Sequence, residues 1–464
     1  MLPEGLSNSL CSLTADEPKL TFSSWYRIRR STGEVILDAG HPHGPRFAKT
    51  LIQSCCRFTY EEVQNVLDGV EIPLTDRPPV SGKTHTWEDL SADLFLLFDV
   101  CTKVRNRRFA HGSVRIDKTK MRFDLNDRDV PTGYSFESHS ASHWMIEELM
   151  LLSNEVVAKR ISALGESAVL RRHPEPDKRG FTELSEKVKT KLGLAEWDGS
   201  TSGKLFASLQ LAHTKLGSRV ASIIEFMVMK TMRPAEYVTQ GVGDFRHYAL
   251  AFDFYTHFTS PIRRYPDILV HRQLQTVLEL SACGIDPKTT PSVAPTPEEL
   301  AALNAQCELC NVMKRKARLA QEACDVAFFC IYLRSKKHCN LTTGTVISVS
   351  EKCFKVYVPK LNADHPVYFS FTGKIPDWYL EGTPERAELD HIIKGPESIT
   401  YVSADEAVVV WDSDTKINVL VFDPIEVVIV PLDTVPISFA LLLLPATHKQ
   451  FGQVALVEAD EEHE

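Results

Sequence analysis

The sequence predicts an α+β body of about 340 residues followed by a small all-β barrel, and three observations carry that prediction. Apolar residues recur at three- and four-residue spacing through most of the first two-thirds of the chain. After Asn340 the pattern changes to short alternating β-branched and aromatic runs: TTGTVISVSEKCFKVYVP, HPVYFSF, ITYVSADEAVVVWD and KINVLVFDPIEVVIVPL. A proline- and threonine-rich insert at about 283–298 reads as a surface loop between two long helices.

The elements follow in order. A polar helix start near Leu6 precedes strands in KLTFSSWYRI and GEVILDAG, separated by a turn at Ser31 to Gly33. A helix over Thr59 to Leu67 and a loop over Glu71 to Thr86 come next. From Trp87, the residues Leu90, Leu94, Leu97, Phe98, Cys101 and Val104 mark one helix face, and the helix ends in basic residues, as its dipole favours. SVRIDKTKMRFDL reads as a hairpin, and helices are expected over 143–164, 181–192, 204–213, 219–232, from Arg263 to about 280, and 300–333.

Bulk composition sets limits on function. With 464 residues, 43% hydrophobic and 24% charged, the chain can fill two or three cores and lies far from the disorder regime. A net charge of −9 repels a polyanion overall, so any nucleic-acid site has to be local. Basic clusters at Lys103, Arg105, Arg107, Arg108 and at Arg171, Arg172, Lys178, Arg179 supply local positive charge. Eleven cysteines in no regular framework indicate free thiols, a reducing compartment and a cytoplasmic location. The longest apolar run, 437–445, is too short to span a bilayer.

The segment richest in chemistry is HYALAFDFYTHFTSPIRRYPDILVHR, residues 247–272. Ser260-Pro261 is expected to start a helix, which places Arg263 and Arg264 in a first turn whose dipole opposes cations. A bound anion resolves that conflict, because helix amides and forked guanidiniums both hold phosphate oxygens. The hydroxyls of Thr256, Thr259 and Ser260 and the rings of Tyr255, His257, Phe258 and Tyr265 would then serve a nucleic-acid strand. The competing reading is an i,i+4 pair between Arg263 and Asp267 on a solvated face, with Asp267 and His271 bracing the same helix.

This segment closely resembles the catalytic-domain motif of the RNB (RNase II) family of exoribonucleases. The resemblance extends to MLPEGLSNSLCSL with KLTFSSWYRI, FTYEEVQNVL, RFAHGSVRID, IEELMLLSNEVVAKR, LRRHPEPDKRG and the β-rich end. RHYAL and PIEVVIVPL are most similar to the eukaryotic, exosome-independent Perlman syndrome exonuclease group. It implies a truncated RNB domain over 1–338, an OB-fold over 340–436 and an acidic tail over 437–464. The implied activity is 3′-to-5′ hydrolysis of single-stranded RNA to nucleoside monophosphates, with neither DNA nor membrane as partner. The resemblance assigns Arg263 to the scissile phosphate as the catalytic arginine, and the pair Glu147 and Glu148, with Glu148 preferred, to the terminal nucleotide. The other expected RNA-binding residues are Tyr255, His257, Thr259, Ser260, Arg264, Tyr265 and Arg272.

The family's chemistry also implies Mg²⁺, held by an aspartate run of the form D-P-x-x-x-x-D-x-D-D. No such run occurs in this sequence, so no metal ligand is expected here and the chain alone is expected to be inactive, as a fragment or truncated form. The alternative is a catalytically inactive RNA-binding or scaffold protein that keeps the channel wall and the barrel. Asp124, Asp127 and Asp129 read as a polar turn, and Cys307 and Cys310 read as helix thiols without a second pair for zinc.

Overall fold

The computed structural model describes residues 2–36, 44–82, 85–116, 121–136, 139–286, 290, 294–334, 340–377, 379–381, 384–411 and 416–444. Six residues of the expected insert, 287–289 and 291–293, and the tail beyond 444 lie outside them. The chain forms two compact units, one of residues 1–116 and 139–315, the other of residues 117–138 and 316–464.

In the first unit, β1 (Pro18–Trp25) pairs antiparallel with β4 (Arg46–Gln53), with Pro18 opposite Gln53 and Trp25 opposite Arg46. Between them, β2 (Ile28–Arg29) and β3 (Glu34–Val35) form a small hairpin. Gly33 closes it at φ +68, and a Cβ there would lie 2.6 Å from the Lys103 carbonyl carbon. Glycine is therefore needed twice over, for its backbone angle and for its size.

α1 (Tyr60–Leu67) and α2 (Trp87–Ala110) each begin with a reciprocal capping box, Thr59 with Glu62 and Thr86 with Asp89. α3 (Ala141–Ile161) packs Met145 against Val63 of α1 and Cys101 of α2. β7 (Val169–Arg172) then pairs with β8 (Glu236–Thr239), and between these strands run α4 (Lys178–Lys191) and α5 (Ser202–Thr231). α5 is broken at Gly217, φ +78, which accounts for the two helices expected over that stretch. A second core joins Val157 and Ile161 of α3, Val169, Tyr237, and Val270 and Leu274 of α6 (Tyr265–Ala282). Cys307 of α7 (Pro297–Arg334) completes it, and burial pushes that thiol up to about 12.

In the second unit, β5 (Met121–Leu125) and β6 (Pro131–Phe136) form a hairpin. Its turn lies at 126–130, where the Asn126 side chain accepts the amides of Arg128 and Val130. That corrects the hairpin expected over 113–125. A nearly closed antiparallel barrel follows, in the order β11 (Ala363–Tyr368), β10 (Cys353–Val358), β9 (Asn340–Val349), β15 (Pro424–Leu432), β16 (Ser438–Leu443). α8 (Pro384–Lys394) and the sheet of β12 (Ser398–Ser403), β13 (Glu406–Val410) and β14 (Lys416–Leu420) fill the stretch between β11 and β15. β16 occupies residues assigned in advance to the acidic tail; its Leu441 to Leu443 are buried. No helix among the described residues is long and apolar enough to cross a membrane.

Candidate nucleic-acid interface

The arginine segment adopts a form different from the expected one. Residues 261–263 are a turn, and α6 begins only at Tyr265, so neither Arg263 nor Arg264 lies in its first turn. Proline occupies the second helical position, Pro266, in place of Pro261. The amides of Arg263 and Arg264 both donate to the Ser260 carbonyl, at 3.3 and 3.1 Å.

Two buried side chains hold this turn. Asn154 of α3, 3% exposed, accepts the amides of Phe258 at 2.8 Å and Thr259 at 3.3 Å, and donates to the Tyr255 hydroxyl at 3.2 Å. Asp267 of α6, fully buried, accepts the Ser260 amide at 2.7 Å. Its carboxylate also receives a two-pronged contact from Arg264, Nε at 2.9 Å and Nη2 at 2.8 Å. The expected pair between Arg263 and Asp267 is therefore replaced by an i,i+3 pair with Arg264. His271 likewise bonds the Phe258 carbonyl at 2.9 Å, not Asp267.

Arg263 is exposed, and no hydrogen bond or ion pair engages its side chain among the described residues. The two adjacent arginines thus differ: Arg264 is committed to a carboxylate, whereas Arg263 keeps its full set of donors. Tyr265 is 49% exposed. Arg272, two turns along α6, lines a groove of about 790 Å³ with Phe22, Lys49 and His271.

The remaining expected residues are placed elsewhere. Tyr255 is only 4% exposed, with its ring packed among His247, Phe252 and His257, so it cannot stack on a base as anticipated. Phe258 is likewise core, stacked on His271. His257 is half-buried, and its Nδ1 receives the Tyr237 hydroxyl at 2.7 Å; burial and the charges of Arg264 and Arg171 depress its pKa. Glu148 is 1% exposed and gripped by Arg108 at 2.5 and 3.0 Å, with Arg105 at 3.4 Å. Glu147 faces Arg115 at 3.4 Å. No hydrogen bond or ion pair among the described residues joins either glutamate to the arginine turn.

Asn154 was missed in the sequence although it left a trace, a lone amide in the apolar phase of IEELMLLSNEVV. Asn311, which exchanges hydrogen bonds with the Tyr237 backbone at 2.7 and 3.0 Å, left none. Among the described residues, no group of three or more histidine, cysteine, aspartate or glutamate side chains is placed to hold a metal ion.

The mixed helix-and-strand body with a nearly closed five-strand barrel is an RNB-like fold. The structure of Mycoplasma genitalium RNase R in complex with ribose methylated single-stranded RNA superposes with a TM-score of 0.71 at 20% identity, covering 95% of this chain and 60% of that one. The family model for the RNB domain matches residues 1–280, and the chain belongs to the RNB family. DIS3-like exonuclease 2 of Schizosaccharomyces pombe is 33% identical over 346 residues, 73% of this chain and 35% of that protein. A protein described as inactive exonuclease DIS3L2, from Arabidopsis thaliana, is 31% identical over 427 residues, 82% of this chain and 39% of that protein. The chain thus spans well under half the length of these two relatives.

Proposed function

We propose that this chain is the single-stranded-RNA-binding body of an RNB-family 3′-to-5′ exoribonuclease, with Arg263 as its phosphate contact. The observation that carries the reading is the contrast between Arg263, exposed and unpartnered among the described residues, and Arg264, held by buried Asp267. The backbone of the turn that carries Arg263 is pinned by Asn154 and Asp267, so the main chain loses little freedom on binding. The Arg263 guanidinium donates to the non-bridging oxygens of a phosphodiester, the Thr259 and Ser260 hydroxyls lie next to it in sequence, and the Tyr265 ring gives a base a surface to stack on. The second unit's barrel, read as an OB-fold, is an RNA-binding element in its own right.

In the family, Mg²⁺ activates the attacking water and stabilises the leaving oxygen. The described residues do not fit that role, since they contain no carboxylate cluster, and no hydrolytic step is assigned to them. A second reading, an RNA-binding protein without nuclease activity, draws on the same observation and on the relative described as inactive. Cytoplasmic location and independence of the exosome belong to the same proposal.

One experiment tests both. Anisotropy of a labelled uridine 20-mer is measured between 50 and 200 mM KCl, and Mg²⁺-dependent release of monophosphates is followed in parallel. We expect Arg263→Ala to weaken binding about tenfold and to flatten the salt slope by about 0.7, with no monophosphate released by either protein. Unchanged affinity in the variant removes Arg263 from the interface. Monophosphate release by the wild-type chain, lost on adding EDTA, removes the inactive reading and requires a metal site beyond the described residues.

A further inference from the structure

We propose that Arg171 anchors a buried site for a small monovalent anion of the halide class. Arg171 lies on β7, directly behind the arginine segment: its amide donates to the Tyr255 carbonyl at 2.8 Å. The residue is 6% exposed. Its Nη2 reaches the Ala235 carbonyl at 3.3 Å, the guanidinium carbon sits 4.7 Å from the Tyr237 ring centroid, and Nη1 has no hydrogen-bond partner. No carboxylate pairs with it among the described residues. A guanidinium taken out of water with neither counter-ion nor full hydrogen bonding is strongly disfavoured.

The surroundings offer positive charge. Arg264 raises the local potential, although its own charge is balanced by Asp267. Lys314 acts in the same sense on His247 and His257. His173, His247 and His257 lie close by with depressed pKa values, and each has its Nδ1 engaged. Nδ1 of His173 accepts the Ala249 amide at 3.2 Å, that of His247 accepts the Leu250 amide at 3.3 Å, and that of His257 shares a hydrogen bond with the Tyr237 hydroxyl at 2.7 Å. A buried water could complete the hydrogen bonding of Nη1 but would leave the charge unmatched. An anion does both, and the 6% exposure of Arg171 excludes a bulky one.

The test uses the whole chain. Crystals grown in sodium bromide are measured at the bromine absorption edge, and thermal unfolding is compared in 0.2 M chloride and gluconate at equal ionic strength. The proposal expects an anomalous peak within hydrogen-bonding distance of Arg171 Nη1. It also expects a midpoint about 2 °C or more higher in chloride, a difference that Arg171→Met abolishes. Water alone at Nη1 overturns it, as does bromide found solely beside exposed arginines, an adventitious ion only. An equal chloride effect in wild type and Arg171→Met overturns it as well. Should Arg171→Met fail to fold, the bromide map decides alone.

Discussion

Asp267 shows how much one side chain can organise. It is the acceptor for the Ser260 amide and for both prongs of Arg264, so replacing it with asparagine keeps an acceptor oxygen but leaves Arg264 without its counter-charge. Breaking a buried pair from one side costs about 3 kcal/mol. Asp267→Asn is expected to lower the urea midpoint markedly, whereas Arg263→Ala leaves it unchanged; equal midpoints for Asp267→Asn and wild type would refute that assignment. The sequence displayed Arg263, Arg264 and Asp267 but not which arginine the carboxylate takes. Helical periodicity favoured i,i+4, and the late start of α6 turned the pair into i,i+3. Glu148 illustrates the same limit: its place in the helix was legible, but its capture by Arg105 and Arg108, some 40 residues earlier, depends on tertiary contact.

At the scale of elements, periodicity located most helices of the first unit, and α1 and α2 each start on a capping box. Strand β4 escaped notice because RFAKTLIQ alternates weakly and needs β1 opposite it to be a strand at all. β16 was hidden for a related reason: a short apolar run next to an acidic end looks like tail until β15 pairs with it. The β2–β3 hairpin yields a prediction of its own. Gly33→Ala must enter left-handed backbone, at about 1–2 kcal/mol, and its methyl must also displace the Lys103 backbone. We expect a loss of at least that size in chemical denaturation, and a neutral substitution would show that the hairpin does not pack on α2.

For the molecule as a whole, the histidines of the first unit set a pH dependence. His173, His247, His257 and His271 all have depressed pKa values, with burial the leading cause, and that of His247 falls to about 2. An unfolded histidine titrates near 6.5, so between there and the folded values the unfolded chain binds more protons. Stability from this source is complete above about pH 6.5 and declines as pH falls, by about 1.4 kcal/mol per unit for each fully depressed group. Carboxylates titrate lower, so denaturation midpoints at pH 7.0 and 5.5 isolate the histidine contribution. A lower midpoint at 5.5 is expected, and identical midpoints would mean that the cluster accepts protons while folded.

The β1–β4 ribbon has a practical consequence. Leu20 and Leu51 face each other across it, 86% and 65% exposed, and among the described residues neither strand has a further neighbour in its sheet. Two greasy residues on a ribbon with bare rims invite a second ribbon to zip alongside. Solutions of the purified chain should scatter more light as they are concentrated, and a lysine at either leucine should keep them clear.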